Sequence, residues 1–225
     1  MRSSALLLVG LMACADKAPL DTAEDTDSEA PPGDTTVCGA WTGFVDAGQT
    51  WTYDWVSGDK VGTAIMTLDD LDGTGGTAQT TTSYSYASAD YTYSLTMVSN
   101  YVCDAGGLSV GTLSTAWETV NGEYTSSSWR LSTYDPPWLS LQRGAAEGST
   151  WAGTTSVETQ GNDVETATAE AGWAQTSALE AVTVPAGAYD ALRVDVGADL
   201  GVTSWYAEGV GLVKTGDLQL VSMTP

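Results

Sequence analysis

Cys14, Cys38 and Cys103 are the chain's only thiols, and there is no histidine beside which any of them could act. Without an imidazole, Ser–His–Asp and Cys–His triads, histidine-held zinc and imidazole proton shuttles are excluded. A cysteine pair with no histidine is a poor zinc site. The P-loop and GxGxxG phosphate cradles are absent. Asp70, Asp72 and Gly73 match part of a calcium loop, but Leu68 stands where an oxygen ligand is needed and Gln79 where the closing glutamate belongs, so the stretch reads as a turn. A distant pair of carboxylates would suffice for glycoside hydrolysis. Nothing in the sequence singles out such a pair. The chain therefore reads as non-enzymatic, with no catalytic residue, metal site or cofactor.

The thiols must be placed by the segments that carry them. Met1 to Ser4 holds one positive charge, and Ala5 to Ala13 is an apolar run. Its length suits a signal-peptide core and falls short of the ~20 residues that span a bilayer. Leu11-Met12-Ala13-Cys14 closes it. These residues resemble the lipobox of bacterial lipoproteins, in which the cysteine becomes the new N-terminus and its thiol accepts a diacylglycerol. The resemblance implies a signal peptide over 1–13, lipidation at Cys14 and membrane attachment through the lipid. Ala15, rather than aspartate, follows the cysteine; by similarity to lipoproteins of enteric bacteria this implies transport to the outer membrane. The alternative to lipidation is an ordinary secretory signal with a chance cysteine.

Residues 14–37 read as a disordered tether. Asp, Glu, Thr, Ser, Pro and Ala dominate, and Leu20 is the only large apolar residue before Val37. Such a segment cannot bury enough apolar surface to offset the entropy of ordering. As a flexible coil it spans on the order of 25 Å, more with the repulsion of its carboxylates. The whole chain carries 7 basic against 29 acidic residues, a net charge of −22. Nucleic acid is thereby excluded as a partner, since its phosphates would be repelled.

Residues 38–225 have another composition: 9 Trp and 10 Tyr fall in the chain against a single Phe, among Thr, Val and Gly. Thr50 to Val56 alternates, with Trp51, Tyr53 and Trp55 on one face. Strands follow at Val61–Leu68, Thr77–Tyr86, Tyr91–Cys103, Leu108–Val120 and Tyr124–Tyr134, with Asn121-Gly122 as a hairpin turn requiring positive φ. Ala167 to Leu179 leans to strand rather than helix. The pattern is all-β. Gly48-Gln49-Thr50-Trp51 is echoed by Gly148-Ser149-Thr150-Trp151, which suggests two similar halves joined at Asp135-Pro136-Pro137. Cys38 and Cys103 are an even pair in an oxidising compartment, either bridged or two separate buried thiols. The indoles and phenols suit a sheet with one packed side; sugar-binding surfaces use the same rings.

The clearest strands lie in Val182–Lys214. Leu192, Val194 and Val196 alternate with Arg193 and Asp195 after a turn at Pro185 and Gly187. Gly209 and Gly211 are expected in a neighbouring strand that Trp205 begins, with Val210 and Leu212 sharing a face. Val184-Pro185-Ala186-Gly187-Ala188-Tyr189 and Trp205-Tyr206-Ala207-Glu208-Gly209-Val210-Gly211-Leu212-Val213-Lys214 resemble an envelope lipoprotein family, some of whose members are called TapB-like. Gly48, Trp51 and Tyr53, then Tyr101 and Cys103, then Pro136, Pro137, Gly148 and Trp151 fall in that family's order. The resemblance implies a fold similar to the lipoprotein-localisation (Lol) carriers: a strongly curved antiparallel half-barrel or open barrel with a concave apolar face. It brings no catalytic residues. Two functions follow from it. One is binding of a lipid or other apolar or amphipathic ligand in the concave face. The other is a structural or interaction lipoprotein whose core is filled by its own side chains.

Overall fold

The computed structural model describes residues 38–58, 60–72, 76–197 and 202–225; Cys14, the signal segment and the tether lie outside them. Gly, Asp and Ser turns cut a Thr-, Val- and aromatic-rich chain into twelve strands, and no helix forms among the described residues. They are β1 (Thr50–Ser57), β2 (Lys60–Leu71), β3 (Thr77–Ala87), β4 (Tyr91–Cys103), β5 (Gly107–Asn121), β6 (Tyr124–Gln142), β7 (Thr150–Gly161), β8 (Ala167–Val184), β9 (Gly187–Val196), β10 (Val202–Ala207), β11 (Gly211–Thr215) and β12 (Leu218–Thr224). Each pairs antiparallel with its neighbours in sequence, and β1 pairs with β12.

The sheet is thus a closed barrel, not the half-barrel or open barrel expected. The closing strand is the reason. Leu218 and Leu220 alternate inward on β12, opposite Trp55 and Tyr53 of β1, so both edges offer an apolar inner side and a free ladder to one another. Closure removes the exposed edges that invite aggregation.

Alternation sorts the wall. Trp51, Tyr53, Leu68, Leu192, Val194 and Leu220 are buried, as the period of two requires. Thr63, Ser83, Ser85, Thr92, Ser94 and Thr96 are exposed. Val56, Val61 and Ile65 are apolar exceptions on that outer side. A membrane-spanning barrel has an apolar outer band and a polar lumen; this wall is ordered the other way round. The core draws on every strand group, with Leu108, Leu141, Trp151, Val182 and Val184 supplied by β5–β8, whereas the far ends of the longer β5, β6 and β8 run on into solvent.

Three local expectations change. The strand beside β9 is β10, with Trp205 in its middle; Gly209 and Val210 form the β10–β11 turn, and Gly211 opens β11. The hairpin turn after β5 centres on Gly122 and Glu123, with Gly122 alone at positive φ (59°) and Asn121 still in the strand. Asp135-Pro136-Pro137 lies inside β6 and joins no halves. The glycine–tryptophan echo is structural nonetheless, since the two copies open β1 and β7. The N–H of Gly48 and the carbonyl of Gln49 bond Leu68 on β2; those of Gly148 and Ser149 bond Ser177 on β8 in the same pattern.

Candidate functional site

One end of the barrel is closed by the segment that precedes β1. Cys38 is disulfide-bonded to Cys103 at the end of β4, with Cα atoms 5.1 Å apart. The Ala40 carbonyl accepts from the Gly209 N–H at 2.8 Å, and Trp41 Nε1 donates to the Ala145 carbonyl at 2.9 Å. Phe44 packs its ring against Trp51 and Tyr101. The segment crosses the β10–β11 turn so closely that a Cβ on Gly43 would strike Val210 and one on Gly211 the Thr42 carbonyl. That close approach, and a φ of 91°, are why Gly211 is glycine.

Behind this seal the interior is a stack of rings. Trp55 touches Tyr84 and Tyr93, with centroids 5.7 and 5.6 Å away. Trp51 Nε1 donates to the Val210 carbonyl at 2.7 Å, and the Tyr53 hydroxyl to the Leu212 carbonyl at 3.0 Å. Burial pushes the Tyr53 phenol well above its ordinary value and those of Tyr84 and Tyr206 up to about 12. These phenols are protonated at neutral pH and supply no base.

Charges sit on the wall and at its far rim. Lys60 lies 4.1 Å above the Tyr91 ring and bonds its hydroxyl. Arg130 pairs with Asp163 at 2.7 Å, a hydrogen bond that holds the Asp163 carboxyl below its usual range. On the outer face Arg193 bridges Glu180 and Asp195, and Lys214 covers the Trp205 ring at 4.7 Å. Exposed pairs of this kind contribute little to stability. Two shallow grooves of about 430 and 400 Å³ mark the wall. Val61, Thr63, Ser85 and Thr92 border the first, and Thr176, Asp195 and Thr203 the second, so both open on the solvent side of the wall.

A different arrangement lies between β6 and β7. Their register runs from Arg130–Gly161 to Asp135–Ser156 and stops. Pro136 and Pro137 come next, and neither has an N–H to donate. Beyond them, towards the sealed end, side chains replace the ladder. The Thr155 hydroxyl donates to the Pro136 carbonyl at 2.7 Å, and Gln175 Nε2 reaches from β8 to the Leu139 carbonyl at 3.1 Å. Around this seam four buried polar atoms have no hydrogen-bond partner: Nε1 of Trp138, Trp151 and Trp173, and Oε1 of Gln175.

Among the residues the sequence singles out, the structure brings Cys38 and Cys103 together. Cys14 lies outside the described residues. Asp70 ends in the β2–β3 pairing, and the Asp72 N–H bonds the Thr77 carbonyl, which is hairpin geometry; Gly73 is outside the described residues. No group of three or more Cys, Asp or Glu suited to a metal ion forms among the described residues. Sequence reasoning missed the seam. Trp151 was visible as an echo of Trp51, and the double proline as an interruption, but nothing in the spacing joined them to Gln175.

These features define a closed, up-and-down β-barrel with a packed interior, a polar outer wall and one sealed end. Compared with protein-family models, curated proteins and solved structures, the chain finds no match.

Proposed function

We propose that this chain is a non-enzymatic lipoprotein of the cell envelope, held at the outer membrane by acylated Cys14, with residues 14–37 as tether and the barrel as a structural or interaction module. The observation that carries the second half of this reading is the buried core: Trp51, Tyr53, Leu68, Leu192 and Leu220 are wholly enclosed inside the barrel. A carrier keeps an accessible apolar cavity of several hundred Å³. The anchor rests on the Leu11-Met12-Ala13-Cys14 motif and its resemblance to the lipobox. A polar outer wall agrees with a domain that stands off the membrane rather than in it.

The test is fractionation of wild type and Cys14→Ser, with intact-mass analysis of each. Wild type is expected in the membrane fraction carrying acyl chains, whose buried CH₂ groups contribute ~0.8 kcal/mol each. The variant is expected in the soluble fraction without them. A variant that stays with the membrane overturns the anchor. Lipid that co-purifies with the acyl-free variant in native mass spectrometry overturns the self-filled module.

A further inference from the structure

The four unpartnered atoms belong to residues on three adjoining strands. Trp151 on β7 faces Gln175 on β8 across the ladder, and Trp173 faces Gly153 one step further along the same side. The Trp173 ring lies over Gly153, where a Cβ would run into it. Gln175 holds the carbonyl of Leu139, the residue after Trp138. Strands β6, β7 and β8 thus each bring an indole to the stretch where β6 and β7 are not laddered. Most buried polar groups in folded proteins are paired, and an unpaired group calls for an explanation. Three indole N–H donors and one amide oxygen at one seam form a set with a defined chemistry.

That chemistry selects its ligand. No charged side chain is part of the set, so an ion would find no counter-charge. An anion would accept from the indoles, but it would face the lone pairs of Gln175 Oε1 and a chain of net charge −22. A hydroxyl group both accepts and donates, so it satisfies indole N–H and amide oxygen alike. Indole faces also pack well on the apolar C–H faces of a sugar ring. We propose that the β6–β7 seam is a binding site for a neutral saccharide, with hydroxyl oxygens accepting from Trp138, Trp151 and Trp173 and a hydroxyl donating to Gln175 Oε1. Entry is through the seam itself. From Pro136 to the β6–β7 connection the strands part without breaking backbone ladder bonds; the Thr155 and Gln175 bonds are the crossings that yield.

The experiment is a titration of the purified protein, ¹⁵N-labelled, with glucose, galactose, N-acetylglucosamine and their β-linked oligomers. The nine indole N–H resonances are the readout. They are assigned by single Trp→Phe variants. The expected result is a saturable shift of the Trp138, Trp151 and Trp173 signals by at least one of these sugars, while that of Trp205 on the outer wall stays in place. Gln175→Leu and Trp173→Phe are each expected to weaken binding about tenfold or more, and Trp205→Phe to leave it unchanged. Folding of each variant is read from the remaining indole signals in the same spectra. If no sugar of the panel moves the three signals, water alone satisfies these groups and the proposal is overturned. It is equally overturned if a sugar binds but shifts other indoles, or if Gln175→Leu and Trp173→Phe bind as wild type does.

Discussion

Trp51 and Trp151 open β1 and β7 behind the same glycine turn, and the two seams they stand in are built differently. Each strand has a second neighbour, and in each case six positions pair: β1 with β12 and β7 with β6. What differs is which end is paired. On β1 the ladder includes the tryptophan itself, opposite Met223. On β7 it stops at Ser156, and Trp151 has no β6 partner. The indole of Trp51 finds the Val210 carbonyl; that of Trp151 finds nothing. The cause can be traced to residues. Val210 is pinned over Trp51 by the segment from Cys38, through Gly43, Gly211 and the disulfide. At the other seam Pro136 and Pro137 end the ladder, and the segment from Cys38 reaches only the β6–β7 connection, through Trp41 and the Ala145 carbonyl. A repeated motif fixes the entry to a strand; its neighbours decide whether the seam beside it is sealed.

The largest effect is expected from breaking the seal. Gly211→Val puts a β-branched residue at a φ of 91° and its Cβ against the Thr42 carbonyl. A cost on the order of 3 kcal/mol follows from strain and collision together. Gly148→Ala, at a φ of 78° with open space around the added methyl, is expected to cost only about 1 kcal/mol. Urea unfolding of both variants measures the difference. Equal losses would show that the close approach at Thr42 is not what fixes Gly211.

The two tryptophans give the sharper contrast. Trp51→Phe strands the Val210 carbonyl, and about 2 kcal/mol is expected beyond the loss of ring volume. Trp151→Phe loses no hydrogen bond and removes an unpaired donor, so it is expected to cost less than Trp51→Phe by about that amount. Thermal and urea melts of the pair decide it.

A smaller effect is read from pH. Tyr53, Tyr84 and Tyr206 lie on the Trp51 side, and burial raises their folded pKa values. Their contribution is fully present below the unfolded value near 10 and is lost as pH rises towards the folded value. Above pH 10 the unfolded chain releases these protons first, so stability falls by up to about 1.4 kcal/mol per pH unit for each phenol. Urea midpoints between pH 9 and 11.5 are expected to be level at first and then to drop. A flat profile would contradict the burial of these phenols.

How far the sequence foretells all this varies with the range of the interaction. Local signals were readable: the alternation of Trp51, Tyr53 and Trp55 and the bounds of β4 are as expected. The partner of β1 was not, because β12 is almost the whole chain away and pairing at that distance leaves no periodic trace. Gly211 was recognised as a close-approach glycine, yet its neighbour is Thr42 and not the strand of Leu192. The seam was the least legible, since a double proline marks where a ladder stops but does not say which side chains cross instead. Nor does a sequence say which buried donors will go unpaired.

The most direct test of the account is residue-resolved hydrogen exchange on the amides flanking the two tryptophans. Amides of Thr50–Trp55 bonded to β2 or β12 are predicted to be protected up to the global unfolding free energy. In Thr150–Thr155, amides bonded to β8 are predicted to match them, and those turned towards β6 to exchange orders of magnitude faster. Uniform protection across both segments would mean that β6 and β7 are zipped to the end, and would contradict the open seam from which the rest follows.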